Sequence, residues 1–253
     1  MKTVKKMEST RTFSHSVSAE MSKLWSLPFL WLVLIGALGI TIVFACIFTL
    51  SSRGSISGEA TDAVILGMTP ISYIQAGFFI FGVIASCSEY IGGQIRTTFL
   101  AIPNRIEQRL AATVALIPIT FVSALLVCVT TITVTYILLG NTNTVFDMWL
   151  TIRMILNAAI YLLLMTILSS AIGTLVQRSI PIIGGLFLYL FIISPLIVGQ
   201  PFSFYLPDTA SATLWFPTPP EGAPPAIEAW MVVLGWPLIF LIISIIIAKR
   251  QDA

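Results

Sequence analysis

Six long runs free of Lys, Arg, Asp and Glu alternate with short polar stretches along the chain, at residues 28–50, 64–87, 110–139, 154–176, 180–198 and 229–248. A helix rises about 1.5 Å per residue and a bilayer core is about 30 Å thick, so runs of this length predict membrane-spanning helices. The third run is the longest, and is expected to tilt, to kink at Pro118 or to protrude. A cleaved signal peptide is the competing reading of the first run. Its apolar region is longer than that of a signal peptide and no A-x-A site follows, so the run is expected to stay in the chain. The pattern predicts an all-α integral membrane protein of six spans. It divides into residues 1–27 ahead of the first span, a six-helix domain over 28–248, and a tail over 249–253.

Before the first span, Val17, Met21, Leu24 and Trp25 recur at helical spacing, with Glu20 and Lys23 off that stripe. This suits a helix lying in the membrane interface, or an extension of the first span. The polar segment from Ser88 to Arg109 is patterned as well. Gly92 and Gly93 break a helix leaving the second run, because glycine costs about 1 kcal/mol in a helix interior. Ile95, Phe99 and Ile102 then make one apolar face of a short helix over 94–102, which Pro103 stops. Asn104 followed by Glu107 has capping-box spacing, so a new helix is predicted from about Arg105. An ordinary membrane-flanking loop is the simpler account of this segment.

Composition excludes a soluble domain. Hydrophobic residues make up 57% of the 253 and charged residues 9%, with mean hydropathy +0.98, where soluble domains carry about 25% charged residues. Net charge is +2, too small to suggest nucleic acid. The distribution of basic residues carries more. With the N-terminus in the cytoplasm, Lys2, Lys5, Lys6, Arg11, Lys23, Arg96, Arg105, Arg109, Arg178, Lys249 and Arg250 all fall inside, leaving only Arg53 and Arg153 outside. The positive-inside rule therefore predicts two cytoplasmic termini.

The acids Glu59, Asp62, Asp147, Asp208, Glu221 and Glu228 then form an outer face, expected to be solvated. Between the fifth and sixth runs, residues 199–228 combine seven prolines with Phe202, Phe204, Tyr205, Trp215 and Phe216. Proline content predicts that much of this segment is extended, and its aromatics need something to pack on. They read either as an outer gate or as an aromatic belt on lipid headgroups.

Candidate chemistry is sparse. With no charged residue inside a run, the usual sign of an ion or proton pathway is missing. The strongest polar features at membrane depth are Tyr73, Gln75, Asn157 and Tyr161, with threonines that include Thr131 and Thr135. They either join helices or line a path for an uncharged, amphipathic or hydrophobic substrate. No catalytic motif occurs, no cluster has metal-ligand spacing, and Cys46, Cys87 and Cys128 read as small hydrophobes without a disulfide. A P-loop is absent and no lysine lies between Lys23 and Lys249, so no nucleotide cofactor is expected in this chain.

The string Glu89-Tyr90-x-x-Gly93-x-Ile95-Arg96-Thr97-Thr98-x-Leu100-x-x-Pro103-x-Arg105 resembles the signature between the second and third helices of ABC-2 type transporter permeases, the membrane subunits of ABC exporters. The resemblance implies that residues 94–102 form a coupling helix seated in a separate ATP-binding subunit. Glu89, Tyr90, Gly93, Ile95, Arg96, Thr97 and Arg105 would then be the coupling residues. It also implies an N-terminal elbow helix, short helices over 199–228 capping the path outside, and a bacterial plasma membrane as the location. Partners would be two copies of a P-loop ATPase, which bind ATP and Mg, and a second permease chain, identical or homologous. Substrates in the family include drugs, antimicrobial peptides, ions and lipids. An uncharged path favours a hydrophobic drug or peptide. An ATP-independent carrier or channel, and a membrane immunity or scaffold protein, remain as alternatives.

Overall fold

The computed structural model describes residues 2–52, 60–88, 90, 105–140, 147–216 and 222–250. Among them there is no strand. The helices are α1 (Lys2–Ser26), α2 (Pro28–Ser52), α3 (Ala60–Met68), α4 (Ile71–Cys87), α5 (Arg105–Leu139), α6 (Met148–Val176), α7 (Ser179–Leu188), α8 (Ser194–Ile197), α9 (Pro207–Trp215) and α10 (Ala226–Arg250). A π-helical turn, Tyr189–Ile193, joins α7 to α8, and a 3-10 turn, Pro201–Tyr205, precedes α9. Six of these helical stretches are long and apolar enough to cross a membrane.

The expected runs and the observed helices coincide, with four differences. The second span is not one helix. Thr69 and Pro70 separate α3 from α4, because Pro70 has no N–H to continue the ladder. The Thr69 hydroxyl donates to the Ile65 carbonyl at 2.8 Å. The fourth span starts earlier than its apolar run, since Asp147 caps it by accepting from the Leu150 N–H at 3.0 Å. Asp147, expected among the outer acids, is a helix cap.

The fifth span contains the π turn, which no periodicity announces. The fourth difference lies in the segment expected to be largely extended. Over 201–215 it is helical, because Pro201 and Pro207 each sit at the start of a turn, where the missing N–H costs nothing. Residues 223–225, which include Pro224 and Pro225, are non-helical as expected, and Pro217, Pro219 and Pro220 lie outside the described residues.

The helices α4 and α6 form the centre, lying against each other along their length, with α2, α5, α7 and α10 packed around them. In the second span 61% of the apolar window is enclosed by the protein, against 17% in the fifth, so the fifth span is the outermost. Glycines set the close approach of α4 to α6. A Cβ on Gly82 would lie 2.3 Å from the Thr166 carbonyl, and one on Gly173 would lie 2.0 Å from the Ser86 hydroxyl. Small residues at such contacts let helix backbones approach where lipid supplies no hydrophobic drive between helices. The N-terminal helix α1 packs against α5, with Leu24 buried beside Leu30, Phe81, Ala115 and Leu116.

Candidate functional site

The helix α9 packs against α6 and α10. Its N-terminal Pro207 faces Leu168 and Phe79 across a cavity, while its C-terminal Trp215 packs on Tyr161, nearer the start of α6. It therefore runs antiparallel to α6, its N-terminal end lying farther along the fourth span than its C-terminal end. Three sets of bonds hold it there. Asn157 on α6 donates from Nδ2 to the Leu214 carbonyl at 2.7 Å. Trp236 on α10 donates from Nε1 to the Tyr205 carbonyl at 2.9 Å. Asp208, in the first turn of α9, accepts from the hydroxyls of Tyr189 and Ser194, which open and flank the π turn of the fifth span.

The sequence places Asp208 on a solvated outer face, and the structure corrects this. Its carboxylate is half-buried, set at a helix N-terminus where the backbone dipole favours negative charge, and bonded to a neighbouring span. The available sequence signal was the pair Pro207-Asp208, a proline followed by an acid at a helix start. The partners Tyr189 and Ser194 gave none, since both lie in an uncharged apolar run.

Of the polar residues expected along a path, three converge. The Tyr161 hydroxyl donates to Oε1 of Gln75, whose Nε2 donates to the Ser72 carbonyl at 2.8 Å. The Tyr161 ring meets the Trp215 indole edge-on at 4.5 Å. Asn157 joins the same cluster through Leu214, so Gln75, Asn157 and Tyr161 tie α4, α6 and α9 together. The rest stand apart. Thr135 shares a hydrogen bond of 3.1 Å with Thr49 between α5 and α2, and Thr131 donates to the Cys128 carbonyl of its own helix at 2.8 Å. Tyr73 points outward and packs against Phe44 and Phe48 of α2, at 5.2 and 5.6 Å.

Of the five gate aromatics, Trp215 and Phe216 are adjacent, with ring centroids 6.5 Å apart, and only Trp215 is fully buried. Phe202 and Tyr205 are exposed, and Phe204 is half-buried near Gly222. Among the described residues, the Trp215 indole N–H and the Thr120 hydroxyl are buried without a hydrogen-bond partner.

The expected coupling residues Glu89, Gly93, Ile95, Arg96 and Thr97, with the whole short helix over 94–102, lie outside the described residues. Tyr90 and Arg105 are described. The Tyr90 hydroxyl accepts from Nη2 of Arg109 at 2.6 Å, which fastens the start of this segment to the first turns of α5. Arg105 is half-buried at the start of α5. Arg109 was missed as a member of this group. Its spacing of one helical turn from Arg105 was the signal that could have found it.

No protein-family model matches this sequence, and no curated protein matches it.

Proposed function

We propose that this chain is the membrane-spanning permease subunit of an ATP-driven ABC exporter, working with a separate P-loop ATPase and a second permease chain. The observation that carries the reading is the string from Glu89 to Arg105, placed between the second and third spans of a six-span chain. This segment leaves the most enclosed span and enters the longest helix, so a displacement applied to it is delivered to the centre of the bundle. The Tyr90–Arg109 bond gives the segment a stiff attachment to α5.

Coupling in this reading is mechanical. ATP binding closes the paired ATPase subunits, residues 94–102 move as a handle, and the second and third spans follow. Tyr90 and Ile95 contribute packing, Arg96 a charge-assisted bond to the ATPase, and Glu89 a bond to a helix end or to Arg96. Gly93 permits the bend before the handle, Thr97 lies within it and Arg105 just beyond it. The helix α1 serves as the elbow. It buries Val17, Met21 and Leu24 against the bundle. It leaves Trp25 exposed beside Trp31, their rings 4.8 Å apart, in the manner of interfacial tryptophans. Both termini lie in the cytoplasm, and the exported substrate is hydrophobic or amphipathic.

The test is purification of the tagged full chain from its membrane in mild detergent, beside a variant with residues 94–102 replaced by a Gly/Ser linker. Co-purification of a P-loop ATPase with the wild type, lost from the linker variant, is the expected result. An ATPase bound equally to both forms overturns the handle. If no ATPase accompanies either form, the exporter reading fails, and activity of the chain alone would mark a carrier or channel.

A further inference from the structure

Between α4, α6, α7, α9 and α10 the bundle leaves a partly open cavity of about 220 Å³ with wholly apolar walls, lined in part by Phe79, Leu186, Tyr189, Pro207, Trp236 and Phe240. Apolar cavities of about 150 Å³ stay dry and accept benzene, so this one has room for a larger ring system. Its two amphipathic aromatics offer only carbon to the interior. The Tyr189 hydroxyl is committed to Asp208 and the Trp236 N–H to the Tyr205 carbonyl. A charged or strongly polar guest would lose its water here and find no partner, whereas an uncharged one loses nothing. The Trp236 and Phe240 rings lie nearly parallel, 19° apart in plane with centroids at 6.0 Å. Both rings line the cavity, and an aromatic ring packs favourably against such a surface.

The position of the cavity also gives it an entrance. Its outer wall is the fifth span, whose opposite side exposes Leu188, Phe191 and Ile192. That span packs on α4 and α6, and α10 packs on α6 and α9, so the cavity lies at the seam between the fifth and sixth spans. The wall is interrupted at this level by the π turn, which Asp208 clasps through Tyr189 and Ser194. We infer that this cavity is a binding site for an uncharged hydrophobic small molecule bearing an aromatic ring, admitted from the membrane interior past the π turn of the fifth span. As the substrate site of an exporter it rests on the function proposed above; as a binding site it does not.

The test uses the full-length protein in nanodiscs of defined phospholipid, without any ATPase, and benzophenone as an uncharged, photoreactive aromatic probe. After irradiation, labelled residues are mapped by mass spectrometry over a range of probe concentrations. Labelling of Leu186, Leu168 or Phe240 should saturate and be displaced by excess naphthalene, while labelling of the exposed Leu188 should rise without saturation. Leu186→Trp fills the cavity and should weaken saturable labelling about tenfold or more. Leu168→Trp, on a different helix, gives the same reading if the first variant does not yield monodisperse protein, and Leu188→Trp should leave labelling unchanged. Unsaturable labelling spread alike over cavity and lipid-facing positions overturns the site. So does native mass spectrometry showing a phospholipid retained by the wild type and lost from Leu186→Trp, which would make an acyl chain the occupant. Saturable labelling without ATP-dependent efflux of the probe in the complete system keeps the binding site and removes its role as an exporter's substrate site.

Discussion

The ring of Tyr161 is fully enclosed, and its hydroxyl donates to Gln75 on the neighbouring helix α4. A phenylalanine there keeps the ring contact with Trp215 and leaves Oε1 of Gln75 without its donor. Hydrogen bonds between membrane helices average about 0.6 kcal/mol and reach about 1.7 kcal/mol. Tyr161→Phe should therefore lower unfolding free energy by about 1 kcal/mol, measured by denaturant titration in mixed micelles. The double change Gln75→Leu, Tyr161→Phe should recover part of that loss, because it removes both polar groups together. A single variant as stable as wild type would show that the bond contributes nothing. That Gln75 and Tyr161 carry polarity at membrane depth was legible from their places in apolar runs. That they meet each other was not, since they stand far apart in sequence and periodicity does not set the rotation of one helix against another.

At the scale of elements, the contact of α4 with α6 depends on two absent side chains. Gly82→Ala would place a methyl group 2.3 Å from the Thr166 carbonyl, a backbone atom that moves only if the helices separate. We expect a loss of about 2 kcal/mol or more in stability, in line with overpacking of a tight interior. Gly36→Ala is the control, since nothing lies within 4 Å of a Cβ built at that position. Alanine also favours the helix there, so the change should be neutral or slightly stabilising. Equal tolerance of both changes in thermal unfolding would mean that α4 and α6 are not in close contact.

The start of the first span was readable because its cause is local, a proline at the first helical position, Pro28. Local structure was misread where the cause is tertiary. The π turn in the fifth span is clasped by Asp208 through Tyr189 and Ser194, bonds between segments that the sequence separates by an apparent loop.

For the whole molecule, six crossings, one by each helix long and apolar enough to span a membrane, would return the chain to the side on which it began. A cysteine introduced at Thr3 and another at Ala253 should therefore react with a membrane-impermeant maleimide only after the cells are opened, both together. One terminus labelled on intact cells would require an odd number of crossings and exclude the six-span layout. Both labelled on intact cells would keep six crossings and reverse the orientation read from lysine and arginine placement.

The sequence by itself determined the number of spans, their approximate limits and the scarcity of charge at membrane depth. Each follows from composition over some twenty residues, and a bilayer tests that property one segment at a time. Only the tertiary structure decided which helices lie at the centre and which polar residues find one another. It also decided that Asp208 turns inward, and that an apolar cavity remains between the fifth and sixth spans. Those outcomes depend on how helices rotate and approach, which is set by Gly82, Gly173 and the bonds around α9 acting together. No single window of sequence contains that information.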